Sequence, residues 1–408
     1  MPLNPMTLKL ADFDLSPHRG FLPDPDPLVR LPHSDIFSPL EEMANNLPKL
    51  LAAGILRKEI MRFSADTLRP MAQHAPQVML EYGHNNDAII KRMKVMLDYL
   101  GQAYVWGEDP PAQTIPMGFA EFWHQISLRT ALRPILSYAS YILYNWRRID
   151  AIKPVALGNI AVMQNFLGGL DEDWFILIHI DIEQRAGIIP GAIIAALQAL
   201  ARRDIPMLEM YLTMITSAIE SILQTLNRMP ERCDEYIYYT RVRPYLHGWK
   251  NNPALPNGVL YEGVTSYRDK PQQFRGESGA QSGIVPSLVA FFDIRHKEKD
   301  FAPYLAEMRM YMPEGHRRFI ETIEQLSRNG YSLLNFVLAR KESHPTLYDA
   351  YRSSRNALYE FRKKHYEYVG RYIHSQAQHH TGNPIAIGTA GTPFMTSLEE
   401  LMKETKFE

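Results

Sequence analysis

The stretch Leu358-Tyr-Glu-Phe-Arg-Lys-Lys-His365-Tyr-Glu-Tyr-Val-Gly-Arg-Tyr-Ile373 decides how this chain is read. Leu358, Phe361, His365, Val369 and Tyr372 recur at the three- and four-residue spacing of one helix face. Glu360, Lys363, Lys364 and Arg371 fall on the opposite face. The spacing predicts an amphipathic helix that turns a lone histidine toward the interior. Such a histidine is either a core residue with a hidden hydrogen-bond partner or a ligand for something flat, apolar and metallic.

Working outward, helical periodicity covers 47–60, 88–100, 134–148, 192–201, 207–229, 302–310, 318–327 and 347–373. No strand/helix alternation of a parallel α/β fold accompanies it, so the expected class is all-α. Residues 1–39 hold eight prolines and are expected to wrap over the surface in extended form. A connector with Pro110 and Pro111 suggests a small, mostly helical N-terminal domain over 1–118 and a large helical domain over 119–408. Residues 175–183 are ambiguous: the alternation favours a strand, while Phe175 and His179 share a helix face. Residues 248–283 form a long Gly- and Pro-rich segment, and loops of that length tend to be functional. The tail at 376–392 is too rich in Gly, His and small residues to be helical.

The 408 residues carry 44 Lys+Arg against 45 Asp+Glu, so no charge excess points to nucleic acid or to an acidic membrane. The single cysteine, Cys233, excludes an internal disulfide and a four-cysteine zinc or iron–sulfur site. No signal peptide is recognisable and no apolar stretch reaches the roughly 18 residues of a membrane span. A reducing, cytoplasmic location is expected.

Walker, Rossmann, HExxH and GxSxG motifs are all absent. Gly388-Thr-Ala-Gly-Thr392 lacks the lysine of a phosphate loop, and His374 with His379 and His380 reads as a solvated tail rather than a metal site. Tyr239 and Arg243 share a helix face in an aromatic run, where Arg243 either meets a surface carboxylate or grips a substrate carboxylate. Phe274-Arg-Gly-Glu-Ser278-Gly-Ala-Gln-Ser-Gly283 is either a flexible loop or a place where backbone and the Ser278 hydroxyl approach a ligand closely.

Three long motifs carry a resemblance: Gly248-Trp-Lys-Asn-Asn-Pro-Ala-Leu-Pro-Asn-Gly-Val-Leu-Tyr-Glu-Gly263, Phe274-Arg-Gly-Glu-Ser-Gly-Ala-Gln-Ser282 and Met308-Arg-Met-Tyr-Met-Pro-Glu-Gly-His-Arg-Arg-Phe319. Together with the His365 helix and Gly388–Thr392 they resemble the indoleamine 2,3-dioxygenases, well over 120–395 and weakly before it. The resemblance implies a helical fold with a large haem-binding domain. It implies that His365 is the proximal ligand of haem b iron, ferrous in the active form, and that Arg362 neutralises a haem propionate. Ser278 is similar to a position at the haem edge, with Gly279 and Ala280 beside it in the pocket. Tyr138, Phe175 and Tyr239 resemble the aromatics around the indole ring, Arg243 the arginine that holds the substrate carboxylate, and Thr392 part of a loop that closes over substrate. The implied reaction inserts both atoms of O2 across the indole C2=C3 bond of L-tryptophan or a related indoleamine. The product is N-formylkynurenine, at the start of the kynurenine route. The alternatives are the same cofactor chemistry on another indole or aromatic, and a non-catalytic haem sensor.

Three positions depart from the family. His179 stands where the animal enzymes carry a small serine, and the related tryptophan 2,3-dioxygenases carry a distal histidine able to bond the indole N–H. Tyr141 replaces a smaller residue, and Tyr238 replaces a phenylalanine. These departures bear on substrate breadth rather than on haem binding.

Overall fold

A computed structural model of the chain describes residues 3–33, 37–70, 86–295, 301–378, 388–389 and 395–407. The apolar periodicity at 47–60 becomes two helices after α1 (Phe37–Asn45), namely α2 (Leu47–Ala53) and α3 (Leu56–Phe63). The break is Gly54, whose φ of 65° closes α2 with a left-handed cap donating to the Leu50 and Leu51 carbonyls. Then follow α4 (Asn86–Trp106), α5 (Met117–Arg129), α6 (Leu170–Arg185), α7 (Ile189–Arg202) and α8 (Ile205–Leu226). The last third holds α9 (Ile284–Phe291), α10 (Phe301–Arg309), α11 (Glu314–Leu326), α12 (Leu333–Leu338), α13 (Pro345–Val369) and α14 (Met395–Thr405). Strands are minor: β1 (Thr114–Ile115) pairs in parallel with β4 (Leu260–Tyr261), and β2 (Trp146–Arg148) antiparallel with β3 (Ile160–Val162). The fold is all-α, as expected from the sequence.

The ambiguous segment is helical, and burial explains why it mimicked a strand. Ile176 and Ile180 of α6 join one apolar cluster, with α1–α5 and the loop at Trp249–Phe274. Trp174, Ile178 and Ile182 join a second, with α7, α8, α9, α11 and α13. Each core therefore sees a four-residue period, but the helix is wedged between both, and the two periods interleave into apparent alternation. Helix α8 runs along α13, tied by the Ser354 hydroxyl to the Leu212 carbonyl at 3.1 Å and to Thr216 at 2.8 Å. Helix α14 crosses α13, where Arg355 donates to the Thr405 and Glu404 carbonyls at 3.1 and 3.0 Å, a cation at a helix C-terminus.

Three expectations are corrected. Residues 134–148 do not form a long helix: a single π turn, Ala139–Leu143, leads into β2. Asn145 holds this turn from outside, donating to the Tyr99 hydroxyl at 2.8 Å and the Gln164 carbonyl at 2.7 Å and accepting from Gln164 N–H at 2.8 Å. The Pro-rich lead is not confined to the surface, since Phe13, Leu15 and Phe21 are buried in the second cluster. The Phe13 ring meets Phe319 edge-on at 5.4 Å. Finally, Leu170–Arg202 is apolar and long enough to cross a membrane by length and composition, contrary to the expectation, although 61% of its apolar window is buried inside the protein.

Candidate functional site

The interior stripe of α13 opens onto a cavity of about 1040 Å³. Leu358 is fully buried beneath it, while Phe361, His365, Val369 and Tyr372 line it. His365 lies deep in the molecule but is open to the cavity. Burial pushes its imidazole down to about 4, with the His179 and Arg362 charges acting in the same direction, so at neutral pH a ring nitrogen is a free lone pair. The hidden partner that a core histidine needs is missing: among the described residues neither ring nitrogen has a hydrogen bond.

Other elements close the cavity. Helix α6 contributes Phe175, His179 and Ile182. The His179 Nδ1–H donates to the Phe175 carbonyl at 2.8 Å, which leaves Nε2 as an acceptor. Burial lowers the His179 pKa and keeps the ring neutral. The Phe175 ring lies 4.5 Å from the His179 ring and 4.7 Å from Tyr238, and Tyr138 stands edge-on to His179 at 6.3 Å. Tyr138 and Ser282 both donate to Oε1 of buried Glu183, at 2.9 and 2.7 Å. Burial pushes the Glu183 carboxyl up to about 7 despite these bonds. From the long loop come Glu277, Ser278, Gly279 and Ala280. The Ser278 hydroxyl caps the short turn Gly279–Gln281 by accepting from Ala280 N–H at 3.3 Å, and a Cβ at Gly279 would meet open space.

Arg362 also lines the cavity, with Nη1 donating to the Leu401 carbonyl at 2.7 Å and to the Thr405 hydroxyl. Burial lowers its pKa to about 10. Gly388 and Thr389 reach the wall, and the Thr389 hydroxyl donates to the Glu277 carbonyl at 2.7 Å.

Other anticipated residues stand elsewhere. Tyr141 is fully buried one layer back, 6.3 Å from Phe175 and 5.9 Å from Tyr99. Tyr239 and Arg243 do pair, the guanidinium lying 5.5 Å over the ring, and Arg243 Nη1 donates to His247 Nε2 at 3.1 Å. Both are buried outside the cavity lining, and Tyr238 takes the wall instead. Thr392, His379 and His380 lie outside the described residues. His374 is exposed, and among the described residues no three His, Cys, Asp or Glu side chains form a group able to hold a metal ion. Glu183, Glu277 and Ser282 were not singled out from sequence. Loop patterns carry no period that says which side chain faces inward, although Glu183 lies four residues after His179 on the same helix face.

A haem fits these residues. His365 would offer the iron a ring nitrogen that has no hydrogen-bond partner among the described residues. Phe361, Val369, Leu226, Val285 and Val289 give apolar walls, Gly279 and Ala280 leave room for a flat ring, and Arg362 offers a cation to an anionic substituent.

The family model described as indoleamine 2,3-dioxygenase matches residues 9–406. Indoleamine 2,3-dioxygenase 2 of Homo sapiens is 32% identical over 413 residues, covering 98% of this chain and 95% of that protein. Indoleamine 2,3-dioxygenase 1 of Rattus norvegicus is 32% identical over 395 residues, covering 94% and 91%. A more distant relative, 6-hydroxytryptophan 2,3-dioxygenase of Fusarium equiseti, is 28% identical over 373 residues, covering 91% and 86%.

Proposed function

This chain belongs to the indoleamine 2,3-dioxygenase family, and on that premise we propose that it converts L-tryptophan or a close indoleamine, with O2, to the N-formylkynurenine type of product. The observation that carries the reading is the His365 imidazole, without a hydrogen-bond partner among the described residues, lining one cavity with His179 and Phe175. Haem b, held through His365, would supply the ferrous iron chemistry that activates O2. The chain's own residues bind, orient and desolvate the indole. Phe175, Tyr138 and Tyr238 flank it with ring faces and edges, while Ser278, Gly279 and Ala280 leave it room. His179 accepts the indole N–H at Nε2 and does not remove the proton, since even an unburied imidazole is too weak a base for that and burial weakens this one further. Tyr141 tunes the depth of the pocket through Phe175, against which it packs. Arg243 serves the substrate carboxylate, an assignment that requires the Tyr238–Leu246 segment to turn its guanidinium into the cavity.

The test is an absorption spectrum of the purified protein with and without L-tryptophan, followed by product mass under isotopic O2. A Soret band that shifts with tryptophan, disappears in His365→Ala, and accompanies a product carrying both oxygen atoms is expected. A haem spectrum unchanged in His365→Ala removes the axial assignment. A product with one labelled oxygen removes the dioxygenase reaction. A second reading, a ring-hydroxylated indole as preferred substrate, is favoured by the Fusarium equiseti relative named for 6-hydroxytryptophan, and the same assay with 6-hydroxytryptophan decides between them.

A further inference from the structure

Glu277 is 5% exposed, and its side chain lines the cavity. Among the described residues its carboxyl has no hydrogen-bond partner. The backbone around it is fixed. Its N–H donates to the Leu246 carbonyl at 3.1 Å, and its own carbonyl accepts from the Thr389 hydroxyl at 2.7 Å. Gly276, just before it, is packed so closely that a Cβ would fall 2.2 Å from the Leu246 oxygen and 2.6 Å from the Thr389 oxygen. The carboxyl therefore cannot swing to solvent by moving this segment.

None of the cavity's own arginines, Arg295, Arg309, Arg328 or Arg362, acts on the Glu277 carboxyl. Arg309 and Arg328 both meet Glu324, at 2.5 and 3.5 Å, and Arg362 donates to α14. A buried, pinned, unpartnered carboxyl is costly, and native proteins seldom keep one without a use. Burial alone pushes it up to about 8, which is what a missing countercharge does. Its charge also reaches Tyr138, Tyr141 and Tyr238, the rings around the indole wall. No partner for it stands among the described residues, and a cation arriving with the ligand, beside Ser278 and Thr389, would supply one.

We propose that the Glu277 carboxylate pairs with the ammonium group of the substrate, which makes the site selective for cationic indoleamines over indole acids. The assignment rests on the dioxygenase reading for the identity of the ring, but not for the charge preference. It gives the amine an anchor on the loop at Glu277–Ser278, separate from the aromatic wall that holds the indole.

The experiment titrates haem-loaded protein with tryptamine and with indole-3-propionate, which differ in carrying an ammonium or a carboxylate, and follows binding by Soret perturbation and by calorimetry. Wild type should bind tryptamine the more tightly. Glu277→Gln should weaken tryptamine by about tenfold to a hundredfold, the range for losing a charge-assisted hydrogen bond, and leave indole-3-propionate unchanged or tighter. Equal loss for both ligands, or loss for neither, overturns the proposal. Should the variant not fold, wild type binding 3-ethylindole, which carries neither charge, as tightly as tryptamine overturns it unaided. Absence of product from tryptophan with the tryptamine preference intact sinks the reaction and leaves Glu277 standing. Product formation without any preference sinks Glu277 alone.

Discussion

Asp98→Asn tests how the aromatic wall of the cavity is supported. Asp98 and Lys94 are both fully buried on α4 and form an ion pair. Asp98 also accepts from Trp123 Nε1 at 2.6 Å and from the Ser140 hydroxyl at 2.5 Å, and Lys94 donates to the Arg133 carbonyl at 3.0 Å. Burial pushes the Asp98 carboxyl up and the Lys94 amine down. Asparagine keeps the volume but leaves the Lys94 charge without its partner, and removing one member of a buried pair costs about 3–5 kcal/mol. A loss of about 4 kcal/mol is close to a thousandfold in the folding equilibrium, at tenfold per roughly 1.4 kcal/mol. Urea denaturation followed by tryptophan fluorescence should show the midpoint falling at unchanged slope. Ser140 lies in the π turn that follows Tyr138, so KM for tryptophan should rise while haem content holds. Replacing both partners, as Lys94→Met with Asp98→Leu, should restore stability to within about 1–2 kcal/mol of wild type. A single variant that loses under about 1 kcal/mol, or a double variant as unstable as the single, refutes the reasoning.

Glu183, ordinarily near 4.5 but held at about 7, binds a proton in the folded state that the unfolded chain has already released. Its contribution is full below about 4.5 and is lost as pH rises through 7, by up to about 3 kcal/mol. Glu183→Gln should flatten that decline in denaturation midpoints between pH 5 and 8, and parallel profiles would clear Glu183 as its source. Gly276→Ala places a Cβ 2.2 Å from the Leu246 oxygen and 2.3 Å from the Gly248 nitrogen, both backbone atoms that cannot rotate away. It should cost about 1–3 kcal/mol and blunt the tryptophan-induced Soret shift, and a normal shift would show that the loop has room to spare. Arg243→Ala should lower kcat/KM by about one to two decades if the guanidinium meets the substrate carboxylate, and wild-type kinetics would take the residue out of the site.

The sequence by itself determined the elements whose signal is local. The stripe from Leu358 to Tyr372 specified a helix and the face that carries His365, because both depend only on a three- to four-residue spacing. The long motif from Phe274 to Ser282 marks a wall of the cavity, and the four-residue spacing of Phe175 and His179 places them on one face of a helix. Tertiary structure decided the rest. Whether α6 is strand or helix depended on two cores on opposite sides of it, which no single period encodes. Residues 134–148 broke after one turn because Asn145 bonds to Tyr99 and Gln164, partners 46 and 19 residues away. Tyr238 rather than Tyr239 faces the cavity because a π turn, Tyr238–Val242, changes the direction of each side chain from that of a regular helix. The place of Glu277 was set only where two distant segments, at 246–248 and at Thr389, closed around its backbone and left its side chain lining the cavity. Local spacing fixed which faces are apolar. Long-range packing chose which polar groups stand on them without a partner, and those groups are the ones left to meet a ligand.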